Sequence, residues 1–169
     1  MIFFLIAVSI LIIFWAIGRN NNMKRWDESL KSEGINPECL IHVGSYAGGH
    51  PAIDNQIKIC VIFPEKDDLV IYERDVSQYP KKKGIIPIRS INNILLEDST
   101  TIEHKVTVGG IFLYGMYAWA MKEKEKNELA FVTIEWNNGK FNNSTIFSFD
   151  GKDAMQTANK ARNQLLKLI

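Results

Sequence analysis

The chain opens with a hydrophobic run, turns polar, alternates, and closes on a helical stripe. Residues 1–17, MIFFLIAVSILIIFWAI, carry no charge, and Ser9 is their only hydroxyl. At 1.5 Å per residue such a run reaches roughly 26 Å, close to the ~30 Å hydrocarbon core, and predicts a transmembrane anchor over residues 1–18. Residues 19–38, RNNNMKRWDESLKSEGINPE, predict a juxtamembrane linker. Within it Met23, Trp26 and Leu30 fall on one helical face, and Gly34 and Pro37 end the pattern.

From Cys39 the period changes to two. CLIHVGSYAG, IKICVIF (57–63) and LVIYER (69–74) read as strands, and DVSQYPKKKG reads as a loop. Pro87 divides the next run into strand pieces at 85–88 and 91–98. ELAFVTIEWNNGKFNNSTIFSFD reads as two strands joined at Asn138-Gly139, the pair favoured in a two-residue type I′ turn. Ala154, Ala158, Ala161, Leu165 and Leu168 then recur at spacings of 4, 3, 4 and 3, which predicts an amphipathic C-terminal helix.

One stretch resists this reading. VTVGGIFLYGMYAWAMKEKEK places sixteen uncharged residues, 106–121, between Lys105 and Lys122. A spanning helix needs ~20 residues, and crossing here would part the closing hairpin and helix from the strands they must join. The segment is therefore expected to be an apolar insertion of the folded domain, either packed in its core or touching lipid or a partner. Gly109, Gly110 and Gly115 suit close packing, while Phe112, Tyr114, Tyr117 and Trp119 are aromatics of the kind found at interfaces.

Charge orients the chain. Arg19, Lys24 and Arg25 all follow the first run and no Lys or Arg precedes it, which predicts an N-terminus outside and a cytoplasmic C-terminal domain. Trp15 and Trp26 join these three as membrane-interface residues. A secretory signal peptide is the alternative, but it wants a positive region before the run and a small-residue cleavage site after it, and this chain has AIGRNNNMKRW there. Twenty Lys and Arg against nineteen Asp and Glu speak against a nucleic-acid binder held by bulk charge.

Chemical motifs are sparse. There is no G-x-S-x-G or H-E-x-x-H, and GIFLYGM has Met116 where a phosphate-binding loop needs Lys. Cys39, His42, His50 and Cys60 match no common zinc spacing. Neither a metal nor another cofactor is expected. Asn142 and Asn143 head overlapping glycosylation sequons, without meaning on a cytoplasmic face. The one basic cluster is Lys81, Lys82 and Lys83, which suits anionic headgroups at ~1 kcal/mol per lysine or a solvated loop.

The phrases LVIYER…IIPIRSINNILLED and LAFVTIEW…STIFSFDG, followed by the final helix, resemble bacterial pleckstrin-homology (PH)-like and GRAM-like domains over residues 39–169. The resemblance implies an α+β, mainly β fold class: the N-terminal transmembrane helix, then a partly open barrel of about seven antiparallel strands closed by the C-terminal helix. That fold hosts many functions and licenses no activity by itself; the anchor and the missing catalytic constellations instead lead to the expectation of a membrane-anchored cytoplasmic binding or adaptor module without catalytic activity. Such a module captures a protein, a peptide or anionic lipid at the inner membrane surface. The alternative is a structural, accessory or immunity-type subunit of a membrane complex. Lys81, Lys82, Lys83, Tyr114, Tyr117, Trp119 and Lys122 are the expected lipid- or partner-binding residues. Membrane lipids around the N-terminal helix and a protein partner are the expected company.

Overall fold

A computed structural model of the chain describes residues 24–54, 57–74, 79–109 and 128–169. The chain divides into two units, Met1–Glu38 with Asp75–Pro80 and Cys39–Arg74 with Lys81–Ile169. In the first unit, residues 24–32 form a helix, α1. Gly34 ends it in the left-handed conformation at φ +78°, and the Ile35 amide returns to the Leu30 carbonyl at 2.9 Å. Trp26 and Leu30, the face expected from the spacing, are buried, and Lys24 and Arg25 are exposed.

The described residues of the second unit form two antiparallel sheets and two α-helices. Its strands are β1 (Ile41–His42), β2 (Ser45–Gly48), β3 (Cys60–Glu65), β4 (Asp68–Glu73), β5 (Lys81–Pro87), β6 (Ile91–Asp98), β7 (Leu129–Asn137) and β8 (Asn142–Asp150). Helix α2 spans Ser99–Gly109 and α3 spans Ala154–Leu166. One sheet runs β1-β3-β4-β5 and the other β2-β8-β7-β6. Alternation sends Cys60, Ile62, Leu69, Ile71 and Ile86 inward from the first sheet. From the second come Ile94, Val132, Ile134, Trp136, Phe147 and Phe149, into the same core. Ala154, Ala158, Ala161 and Leu165 of α3 complete it. The small residues of that stripe let the helix axis approach β6, β7 and β8, and the helix also reaches β1.

The expected fold class is corrected by this arrangement. The described residues hold two four-stranded antiparallel sheets in a sandwich-like pair, instead of one partly open barrel of about seven strands. Among the described residues no helix is long and apolar enough to cross a membrane. The expected anchor, residues 1–18, lies outside the described residues. The strand count differs because the run expected as one strand from Cys39 breaks at Gly44, at φ +73°. β1 before the break pairs with β3, and β2 after it pairs with β8. Gly44 also lies against the next sheet so closely that a Cβ there would overlap the Ser148 carbonyl oxygen.

Two local expectations change as well. The hairpin turn is not a two-residue type I′ turn, because the β7–β8 ladder ends at Asn137↔Asn142 and leaves four residues in the loop. Gly139 alone in this loop has positive φ, +86°, whereas a type I′ turn needs two such residues. Asparagine side chains replace the missing backbone pairing: Asn137 Oδ1 accepts from the Gly139 amide at 2.6 Å, and Asn138 Oδ1 accepts from the Phe141 amide at 2.8 Å. The apolar segment expected at 106–121 begins inside α2, and residues 110–121 lie outside the described residues. α2 starts before that segment because Asp98 Oδ1 accepts from the Thr101 amide at 2.8 Å, capping the helix and holding the Asp98 carboxyl below its ordinary range.

The two glycines separate strain from crowding. A Cβ at Gly139 meets open space, so Gly139→Ala is expected to cost roughly 1 kcal/mol for the left-handed backbone alone. Gly44→Ala adds a steric clash with a buried strand and is expected to cost roughly 3 kcal/mol. Urea unfolding of the two variants checks the order, and equal costs would mean that the crossing between sheets is not tight.

Candidate functional site

Lys81, Lys82 and Lys83 open strand β5 instead of standing in a loop. A register shift between Ile71 and Tyr72 sets Lys82 opposite Tyr72 and Lys81 opposite Glu73. Lys83 Nζ then lies 2.8 Å from Glu73 Oε2, and Lys82 Nζ lies 3.6 Å from Glu65 Oε2. The second pair is about half exposed and contributes well under ~1 kcal/mol. Both pairs nevertheless place carboxylates among the lysines, so this face is less cationic than KKK suggests. Of the other expected binding and interface residues, Trp26 is buried and Lys24 and Arg25 are exposed on α1. Trp15, Arg19, Tyr114, Tyr117, Trp119 and Lys122 lie outside the described residues.

β5 is an edge strand, and its edge is closed by side chains. The Ile88 amide donates to the Asp67 carbonyl at 2.7 Å, so by alternation Ile85 and Pro87 turn their backbone groups away from β4. Pro87 has no N–H to offer, and its carbonyl accepts from Ser90 Oγ at 2.6 Å. The Ile85 carbonyl accepts from His50 Nε2 at 3.2 Å. Only the Ile85 N–H is left facing outward across these three residues, and strand addition there lacks a ladder to continue.

His50 is held for this task. It follows β2, and its ring lies 5.4 Å from the Trp136 ring. Its Nδ1 accepts from the Ala52 amide at 3.1 Å, which leaves the proton on Nε2 for Ile85. The His50 amide donates to the buried Tyr46 hydroxyl at 2.8 Å. Gly84 makes room, since a Cβ there would come within 2.8 Å of the ring. Burial lowers the His50 pKa below its ordinary value, and the Ile85 hydrogen bond opposes this only partly.

A second polar cluster lies on the face of the β6–β7 pair turned toward α2. Glu97 is almost fully buried; Thr133 Oγ1 donates to its Oε2, and Lys105 Nζ of α2 stands 2.8 Å from its Oε1. Lys105 also reaches Glu135 Oε1 at 3.0 Å. Burial lowers the Lys105 pKa, but hydrogen bonds and charges from the two carboxylates outweigh it and raise the pKa above the ordinary lysine value. Beside this cluster Ile102 of α2 packs with Ala47, Phe131 and Ile146. The sequence hid these roles because 36 residues separate Glu97 from Thr133 and 30 separate Lys105 from Glu135. The available signal was alternation, which puts Thr133 and Glu135 opposite the apolar face of β7.

Neither cluster supplies a nucleophile or a metal site. Burial pushes the Cys60 thiol up to about 12, so it stays protonated and inert at neutral pH. Cys39 is exposed. Among the described residues no three His, Cys, Asp or Glu side chains converge as a metal ion would require. Comparison of the chain with protein-family models, curated proteins and solved structures returns no match. The resemblance to PH-like domains thus rests on the order of elements in the sequence.

Two measurements check the clusters. Lys105→Met leaves the Glu97 charge buried beside Thr133 alone, and it is expected to destabilise the domain by about 3 kcal/mol, the lower end for a broken buried pair. A loss of a few tenths would place Glu97 in contact with water. For His50, the folded pKa lies below the unfolded ~6.5, so the unfolded chain takes up the proton first as pH falls. Stability is therefore full above ~6.5 and declines as pH drops from there toward the lowered folded value. His50→Gln is expected to flatten urea-unfolding stability across that window, and an undiminished slope would assign it to another group.

Proposed function

We propose that this chain is a non-catalytic binding module working at a membrane surface, where it holds a protein, peptide or lipid partner. One observation carries the reading: among the described residues, the buried groups capable of chemistry are engaged in holding the fold. His50 has both ring nitrogens occupied, Glu97 is matched by Lys105 and Thr133, and Cys60 is a high-pKa thiol facing the core. General acid–base or nucleophilic catalysis needs such a group open to a substrate. Recognition through the surface needs none. The uncharged run at residues 1–17, with Arg19, Lys24 and Arg25 behind it, supports the membrane as the place of work.

The test uses the full chain, tagged and expressed in cells, followed by membrane fractionation and cross-linking. The expected result is recovery with membranes and a discrete cross-linked species that excess untagged chain displaces. Recovery in the soluble fraction with no displaceable species would overturn the reading.

A further inference from the structure

Among the described residues of the sandwich-like unit, the most exposed large apolar side chain is Phe141, at 68%. It stands at the tip of the β7–β8 hairpin, and that tip is built to hold it out. The Asn138 amide donates to the Phe141 carbonyl at 3.2 Å, and Asn143 Nδ2 donates to the same carbonyl at 3.1 Å. Asn138 Oδ1 takes the Lys140 and Phe141 amides at 3.0 and 2.8 Å, and Asn137 Nδ2 reaches Asn142 Oδ1 at 2.8 Å across the loop. A loop so bound through its own side chains loses little conformational entropy when it meets another surface.

The charge around it points to one kind of surface. From Trp136 to Phe149 there is no Asp or Glu, and Lys140, beside Phe141, is the one charged residue. A single aromatic ring flanked by a cation and by amides suits the zone between headgroups and acyl chains of an anionic bilayer. A protein partner fits less well, because a specific protein interface buries roughly 800 Å² per side, more than a four-residue loop presents. A bilayer needs no such complementary area.

We infer that the β7–β8 hairpin tip inserts Phe141 into the headgroup zone of an anionic bilayer, with Lys140 against the headgroups. The inference rests on the membrane-surface reading above and deepens it by naming the contact. One ring and one lysine do not make a stable anchor by themselves; they set how the domain faces a membrane that it already occupies.

The test uses the full chain with Cys39→Ser, an environment-sensitive dye on Phe141→Cys, and a control dye on Lys66→Cys. Vesicles are phosphatidylcholine, alone or with phosphatidylglycerol. The expected result is a blue-shifted, severalfold brighter emission at 141 on the anionic vesicles, with the control unchanged. Phe141→Ser, which leaves the melting temperature unaltered because the ring is exposed, is expected to cut cross-linking of the hairpin tip to photoactivatable phosphatidylglycerol severalfold while leaving the vesicle-bound fraction unchanged. Vesicle binding without a change at 141 would overturn the inference and leave the membrane-surface reading standing. No vesicle binding at all would overturn both. A dye change that needs no vesicles and grows with protein concentration would assign the tip to a second copy of the chain, and it too would overturn the inference.

Discussion

The close approach of Gly44 to the Ser148 carbonyl is the constraint on which the second unit depends. At that point the chain leaves one sheet and enters the other within two residues, and both sheets contribute side chains to one core. Any side chain at 44 would push the chain off β8 at one corner, beside the β2–β8 partners Tyr46 and Phe147, which meet edge to face at 6.3 Å between ring centroids. A close-packed interior transmits such a displacement, so the corner governs more than its own contacts.

From that corner the other features follow in order. β2 directs Tyr46 inward, its hydroxyl takes the His50 amide, and His50 can then reach over Gly84 to the edge of β5. Outside the second sheet, Lys105 ties α2 to β6 and β7 through carboxylates that alternation had already placed on that face. The polar groups buried by this architecture are thus matched in pairs, which is how a domain with charged residues on strand faces avoids uncompensated desolvation.

What could be read from the sequence was what repeats locally. The 4-3-4-3 spacing of Ala154 to Leu168 marks the face of α3 that is buried, and alternation in 129–137 marks the inward side of β7. The division of 39–48 was not legible, since a glycine that bends a strand and one that passes chain between sheets look alike until the second sheet is in place. Likewise Lys81–Lys83 read as loop because their apolar neighbours are few, whereas pairing with β4 and its Glu73 makes them strand. His50 and Glu97 gave no local sign because their partners, Ile85 and Lys105, are brought to them by tertiary structure. The exposure of Phe141 gave no local sign either, since it follows from the asparagine frame of the loop.

The sealing of strand edges has a consequence for synthesis. The carbonyl of Ile94, on the outer edge of β6, is covered by Arg162 Nε at 2.9 Å, and 68 residues separate the two along the chain. His50 is made before β5, whereas Arg162 is made after β6, β7 and β8. The β6 edge therefore stays a template for mispairing until α3 is made and docks on it. The closing of α3 over β6, more than the pairing of the strands, is then the step that removes this edge from neighbouring chains.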